Sequence, residues 1–241
     1  MTAAETYLET AIGLLKKAAE EQSGAVSAAA LAASEAVSRG GLIYLFGTGH
    51  SHLMAEEGHF RAGGLACVVP ILASTIMLHE GAIASTQFER TPGIAPIVLG
   101  RYPISSNDVL IVFSTSGVNA VPVEAARYGR ERGAHVVAMT SVAYSAAAAK
   151  GRERLADVAD TVIDTGAPPG DAAIAIDGDL RAGPVSTVIA AGLLNAVLVQ
   201  VASNLVESGL EAPVYVSANM PGAVERNREL AELYRARNPH L

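Results

Sequence analysis

The sequence predicts a three-layer, doubly wound α/β domain with a mostly parallel sheet of about five strands and an N-terminal helical arm. Residues 42–46 and 109–113 are short, uninterrupted apolar runs, which are typical of strands buried on both faces. Each run leads into a loop rich in glycine and hydroxyl residues, and then into a helical stretch. Because this order recurs along the chain, we expect right-handed βαβ units with helices on both faces of one sheet.

The other elements are predicted from the composition of each segment and from the glycine and proline residues between segments. Residues 3–38 are rich in alanine, glutamate and lysine and predict helical material with a break near Ser23-Gly24. Residues 73–107 contain Pro92, Pro96 and Pro103 and predict loops with short helices. Further strands are expected at residues 66–71, 135–139, 159–163 and 214–216. Helices are expected from the first loop to about residue 61, over residues 121–132, and between Pro184 and Gly209. We expect one domain over residues 1–241, with a helical arm (1–38), an α/β core (39–217) and a helical tail (218–241).

The composition describes an acidic chain that can form a core. Half of the 241 residues are hydrophobic, which excludes global disorder. The 17 Lys and Arg residues against 24 Asp and Glu residues give a net charge of −7. This balance argues against a nucleic-acid partner, because phosphate backbones are neutralised by clustered cations. The single cysteine, Cys67, excludes an intramolecular disulfide.

No export signal or membrane segment is predicted. The N-terminal residues lack a basic region followed by an apolar run. Residues 182–206 carry no charge and are long enough to span a bilayer. Their polar members favour a buried helix of a soluble core instead: Ser186, Thr187, Asn195, Gln200, Ser203 and Asn204. We therefore expect a cytoplasmic protein with no membrane partner.

Two loops, residues 47–51 and 114–119, are the candidate binding elements. Both follow a buried strand and open a helix, and the carboxyl ends of parallel strands are where such sheets bind ligands. Helix N-termini offer free N–H groups to an anion, and the serine and threonine hydroxyls add neutral donors. A phosphate monoester is the expected ligand. The alternative is that these hydroxyls only cap the helices.

Three other loop chemistries can be compared with the first loop. A dinucleotide fingerprint would need glycine where His52 stands and an acidic residue after the second strand, where residues 70–72 are apolar. The Gly-Lys-Ser/Thr sequence of nucleotide hydrolases does not occur. No cofactor is therefore predicted. The nucleophile elbow of serine hydrolases is matched from Gly49 through Ser51 and fails at Leu53, so a hydrolase built on Ser51 stays a minor alternative.

At this point the chain resembles the SIS (sugar isomerase) family of phosphosugar-binding domains, over residues 4–217. The resemblance rests on the two loops in order, the Gly-Pro-Val-Ser-Thr-Val segment at 183–188, the long apolar helix, and the segments 62–65 and 215–219. It implies that the loops hold the phosphate of a sugar phosphate through Gly49, Ser51, Ser114, Thr115, Ser116 and Asn119. Asn119 stands where many members have threonine, and residues 221–225 lack the polar pattern expected of the tail.

The resemblance also implies a base that moves a proton next to a carbonyl, a task for a carboxylate or a histidine. The candidates are Glu56, Glu57, His59 and His79, with Glu80, Glu89 and Glu124 as further acids. His52, Glu56 and His59 share one face of the predicted helix, which could equally be a solvated polar stripe. The histidines His50, His52 and His59 raise the question of a metal, but no metalloprotease-type spacing is present, and no metal is predicted.

The predicted function is binding of a sugar phosphate by an aldose–ketose isomerase or a related lyase. A non-catalytic sugar-phosphate sensor is the alternative. The helical arm and the long apolar helix offer more hydrophobic surface than one small sheet needs. A homodimer or homotetramer is therefore expected.

Overall fold

The centre of the molecule is a five-stranded, fully parallel sheet. The computed structural model describes residues 1–241. The strands are β1 (Ile43–Gly47), β2 (Val68–Ile71), β3 (Val109–Phe113), β4 (His135–Thr140) and β5 (Thr161–Asp164), in the order β2-β1-β3-β4-β5. Every residue of β1 and β3 is buried, as expected of central strands covered on both faces. The predicted fold class is confirmed.

Ten helices surround the sheet. They are α1 (Ala3–Glu21), α2 (Ser23–Ser38), α3 (Leu53–Glu57), α4 (Ala82–Phe88), α5 (Ile94–Leu99), α6 (Ala120–Glu131), α7 (Val142–Ala149), α8 (Leu155–Val158), α9 (Ser186–Glu207) and α10 (Ala223–Tyr234). The break expected near Ser23 separates α1 from α2. On one face α2 and α3 pack with α9, while α6 packs against β3 and β4. Right-handed crossovers in opposite directions from the sheet centre place α3 and α6 on opposite faces.

The strand order creates a switch point between β1 and β3. The chain leaves β1 toward β2 on one side and leaves β3 toward β4 on the other, although β1 and β3 are direct neighbours. The two loops at their carboxyl ends therefore diverge and leave a crevice between them. This is the edge at which the sequence places its two candidate binding loops.

A hairpin that the sequence analysis missed precedes the long helix α9. Strands β6 (Ala172–Asp177) and β7 (Leu180–Pro184) pair antiparallel across the two-residue loop Gly178-Asp179, with Gly178 at φ +51°. A positive φ is what glycine supplies in such turns. The flanking strands are largely exposed, so they lack the continuous apolar run by which the buried strands were found.

Two predicted elements are wrong in extent. The helix expected to about residue 61 is a 3-10 turn (Gly49–His52) followed by α3, because Gly58 packs against Leu45 and Phe60 has a φ of +41° that no α-helix continues. The strand expected at residues 214–216 is one antiparallel bridge between Leu65 and Val214. With that single partner, the segment forms no ladder.

The long apolar helix belongs to the packed core. Helix α9, with 22 residues and a hydropathy of 1.8, is the one helix that passes a length-and-composition test for a membrane span. It packs against α1, α2 and α3. Its buried positions recur at helical spacing: Ile189, Ala190, Leu193, Leu194, Val197, Leu198, Val201 and Leu205. One face of α9 therefore packs into the core, and 39% of its apolar window is buried.

The C-terminal tail anchors to the amino end of β3. The Asp108 side chain is fully buried and accepts hydrogen bonds from the backbone N–H groups of Leu42 and Ser105, at 2.8 Å each. One guanidinium nitrogen of Arg237 lies 2.7 Å from both carboxylate oxygens. Burial opposes the charge on Arg237, but the contacts with Asp108 and Tyr44 together more than offset it and raise the guanidinium pKa.

Candidate functional site

A cavity of about 220 Å³ lies at the carboxyl ends of β1 and β3. Its walls come from the two loops, from the end of the β6–β7 hairpin and from the first turn of α9. The lining residues are His50, Ser51, Met54, Phe113, Ser114, Thr115, Met139, Thr165, Asp171, Pro184, Ser186, Thr187 and Ala190. The hydroxyl-rich lining lies at the crevice that the strand order creates.

Three of the predicted phosphate ligands meet in this cavity: Ser51, Ser114 and Thr115. Ser114 also has a structural task, because its hydroxyl accepts a hydrogen bond from the Gly117 N–H at 3.2 Å. The N-cap residues Thr48 and Asn119 make no side-chain cap hydrogen bond to their helices. The Ser51 and Thr115 hydroxyls, which line the cavity, are available to a ligand.

Three further predicted ligands, Gly49, Ser116 and Asn119, lie outside the cavity lining. Asn119 instead donates from Nδ2 to Oε1 of Glu89 at 2.7 Å. The other oxygen of Glu89 accepts the Thr48 hydroxyl at 2.8 Å. The Glu89 carboxylate therefore ties the first loop to the second. Its partners lie 41 and 30 residues away along the chain, so no local sequence pattern predicts this bridge.

The four predicted catalytic residues, Glu56, Glu57, His59 and His79, also lie outside the cavity lining. Glu56 Oε1 is 3.4 Å from Nε2 of His52, and the rings of His52 and His79 are 5.3 Å apart. Glu57 pairs with Arg61 and accepts a hydrogen bond from Asn195 at 3.0 Å. Their catalytic role stays a prediction.

The ring of His59 faces the C-terminal tail, 6.3 Å from the ring of His240. Burial lowers the pKa of His59, and burial together with Arg101 lowers that of His240. Both rings therefore favour the neutral form. Of the further acids, Glu124 accepts the Gly93 N–H at 2.9 Å, and Glu80 is exposed.

The cavity also contains residues that the sequence analysis did not assign as phosphate ligands or catalytic residues: His50, Asp171, Ser186 and Thr187. Asp171 Oδ1 accepts the N–H groups of Val185 and Ser186, and Oδ2 accepts the Ser186 hydroxyl at 2.6 Å. This carboxylate caps α9 and fixes its first turn at the cavity. The Gly178-Asp179 pair signals the hairpin, and Ser186-Thr187 lies in the segment that carried the family resemblance.

The Asp171→Ala variant tests this cap. Loss of three hydrogen bonds at the start of α9 should lower the free energy of unfolding by about 1–2 kcal/mol. Chemical denaturation measures the change. Asp179→Ala, at the exposed tip of the hairpin, is the matched control and should leave stability unchanged. Equal stability of the two variants would show that Asp171 does not hold the helix.

Comparison with known proteins identifies the family. The SIS-domain family model matches residues 6–141, more than half of the chain. The chain belongs to the SIS-domain family. Among curated relatives, the SIS-domain protein is 58% identical over 200 residues to the UPF0309 protein of Brucella canis, covering 83% of this chain and 82% of that one. The UPF0309 protein of Brucella melitensis matches equally.

Solved structures share the fold of the SIS-domain protein. Phosphoheptose isomerase from Neisseria gonorrhoeae superposes with a TM-score of 0.55 at 19% identity, over 83% of this chain and 97% of that one. The isomerase of Francisella tularensis gives 0.54 at 17% identity, over 82% and 98%. The Vibrio vulnificus NanR protein, complexed with ManNAc-6P, gives 0.52 at 18%, over 98% and 69%.

The serine hydrolase alternative lacks its hydrogen-bonded base in the SIS-domain protein. An activated serine needs an imidazole within hydrogen-bond reach. The Ser51 hydroxyl makes no hydrogen bond to a histidine, and His52 Nδ1 donates to the Gly49 carbonyl instead. The geometry thus favours Ser51 as a ligand-binding hydroxyl over a nucleophile.

Proposed function

We propose that this protein binds a sugar phosphate in the cavity between its two loops and interconverts the aldose and ketose forms of that sugar. One observation carries the proposal. Ser51, Thr115 and Thr187, from three separate segments, line one cavity together with the first turn of the 22-residue helix α9. Neutral hydroxyl donors can hydrogen-bond the oxygens of a phosphate, and they need no lysine in a chain of net charge −7.

The proposed reaction moves one proton between neighbouring carbons. A base removes the proton from C2 of the aldose, the enediol gains a proton at C1, and the proton on O2 passes to O1. His50 lines the cavity, and histidine is the commonest base for such a step. The oxygens of Asp171 already accept three hydrogen bonds. We therefore propose His50 as a proton carrier beside the predicted Glu56 and Glu57.

Ligand binding is tested by thermal unfolding with a panel of sugar phosphates, the matching free sugars and inorganic phosphate. A ligand at a hundred times its Kd adds about 2.7 kcal/mol of stability. Stabilisation by phosphorylated sugars, and not by free sugars, is the expected result. Absence of any stabilisation at millimolar ligand would contradict the phosphate site.

The Ser51→Ala variant tests the first loop. The Ser51 hydroxyl makes no hydrogen bond within the protein, so its removal should spare the fold. Loss of one hydrogen bond to a charged phosphate should weaken binding about tenfold or more. Isothermal titration with the best ligand of the panel measures this loss. Ser106→Ala, in the exposed turn before β3, is the control, and equal affinity in both variants would remove Ser51 from the site.

A non-catalytic sensor is the second candidate function. The placement of Glu56, Glu57, His59 and His79 outside the cavity lining favours it. The NanR structure shows that a protein of this fold can be complexed with ManNAc-6P. Exchange of solvent deuterium into the C1 or C2 position of bound sugar phosphate separates the two, because a sensor moves no proton. If exchange occurs, His50→Gln, Glu56→Gln and Glu57→Gln identify the base.

We also propose a homo-oligomer, a homodimer or homotetramer. Helices α1, α2 and α9 border an apolar groove of about 390 Å³. On the same helices, Leu8, Ile12, Val199 and Val206 are each more than half exposed. An exposed apolar surface of this kind marks an interaction site. Sedimentation should show a species larger than the monomer at micromolar concentration, and a pure monomer would contradict the proposal.

A further inference from the structure

His52, Glu56 and His79 come together beside the first loop, outside the cavity. His52 ends the 3-10 turn after β1, Glu56 lies one helical turn later in α3, and His79 belongs to the segment between β2 and α4. One side-chain nitrogen or oxygen of each residue lies within 4.8 Å of the other two. No other group of three His, Cys, Asp or Glu residues in the chain comes as close.

The His52 ring is held in one tautomer, and its second nitrogen makes no hydrogen bond. Its Nδ1 faces the Gly49 carbonyl, which can only accept a hydrogen bond, so Nδ1 carries a proton. In the neutral ring Nε2 then presents a lone pair. His52 is 3% exposed, and its Nε2 is buried without a hydrogen-bond partner. Leaving a buried polar atom unpaired costs about 1–3 kcal/mol of stability, so a bound ligand at this lone pair would stabilise the protein.

We propose that His52, Glu56 and His79 bind a divalent transition metal of the zinc class. Two imidazoles and one carboxylate are ligands of Zn²⁺, whereas Mg²⁺ and Ca²⁺ prefer all-oxygen sites. Two ligand atoms of a tetrahedral zinc ion lie about 3.4 Å apart, given bonds of about 2.1 Å. His52 Nε2 and Glu56 Oε1 are already 3.4 Å apart. The His79 side chain is exposed, and a nitrogen of its ring lies within 4.8 Å of the other two ligand atoms.

The surroundings of His52 fit this role. A metal-bound histidine ordinarily donates its other N–H to a carbonyl or carboxylate, which fixes the ring, and the Gly49 carbonyl supplies that contact. Gly49 belongs to the first loop, whose residues His50 and Ser51 line the cavity. A metal on His52 would therefore stabilise the loop whose other residues line the cavity. The site needs no sugar phosphate, so its test does not depend on the proposed function.

The experiment measures binding of Zn²⁺ to the full chain after treatment with a chelator. Competition with a chromophoric chelator gives the affinity and the stoichiometry, and replacement by Co²⁺ gives an absorption spectrum that reports the ligand geometry. We expect one Zn²⁺ per chain, a higher unfolding temperature with Zn²⁺ and no such rise with Mg²⁺. Absence of stoichiometric binding would overturn the proposal.

The variants His79→Gln and Glu56→Gln assign the ligands. Both side chains are exposed, so the variants should fold as the natural protein does. Each should weaken Zn²⁺ binding by about tenfold or more and alter the Co²⁺ spectrum. Glu80→Gln, next to His79 but outside the cluster, is the matched control and should leave both unchanged. Equal Zn²⁺ affinity in all three variants would show adventitious surface binding and refute the site.

Discussion

The Arg237→Ala variant should lose about 3–5 kcal/mol of unfolding free energy, because it leaves a buried carboxylate without its counter-charge. The Asp108 side chain is 0% exposed, and Arg237 supplies its one cationic partner at 2.7 Å. The Leu42 and Ser105 N–H groups would remain, but they carry no full charge. For a chain of this size, the loss corresponds to a Tm lower by about 10 °C.

Arg235→Ala is the matched control for this effect. It removes an arginine from the same segment, but its side chain is 55% exposed and lies 3.8 Å from Glu232. Such a surface pair contributes less than about 1 kcal/mol. Arg237→Lys keeps the charge and loses the planar guanidinium, so its stability should fall between the other two. If Arg237→Ala unfolds at the same temperature as Arg235→Ala, the ion pair does not anchor the tail.

The Gly47→Ala variant should disable the first loop. A Cβ at this position would lie 2.3 Å from the carbonyl oxygen of Ser51 and 2.5 Å from its carbonyl carbon. Those atoms are backbone, so relief requires that the whole turn move. Overpacking of a tight site costs about 1–3 kcal/mol, and here the displaced residues include Ser51. We expect both a lower Tm and the loss of the stabilisation by sugar phosphate that the cavity provides.

Gly13→Ala is the control that separates the steric clash at Gly47 from the general effect of replacing glycine by alanine. Gly13 lies within α1 with nothing near its added Cβ, so alanine there should raise stability by about 0.5–1 kcal/mol. Thermal unfolding with and without ligand compares the two variants. Ligand stabilisation of Gly47→Ala equal to that of Gly13→Ala would mean that the first loop is not part of the binding site.

The sequence predicts those parts of the candidate site that are marked by a pattern of neighbouring residues. The loops after β1 and β3 were found because an uninterrupted apolar run next to glycine and serine marks the end of a buried strand. Ser51, Ser114 and Thr115 accordingly line one cavity. Asp171 was missed because its part in the site depends on the β6–β7 hairpin, whose exposed strands have no apolar run.

The histidines show the limit of helical spacing as a guide. Spacing placed His52, Glu56 and His59 on one face of a longer helix, but α3 ends at Glu57 and His59 turns toward His240. The group that forms instead joins His52 and Glu56 to His79. His79 comes from a loop after another strand, so no periodicity within one helix could have included it.

The parallel sheet, its buried strands and the two loops at its carboxyl edge could be predicted from the sequence alone. These features follow from burial of apolar residues and from backbone preferences, which act between near neighbours in the chain. The tertiary structure decided which side chains meet: Glu89 with both loops, Arg237 with Asp108, and His79 with His52. Such contacts depend on the path of the chain between distant residues. A polar residue in a loop belongs to no periodic pattern, so the sequence around it does not indicate its partner.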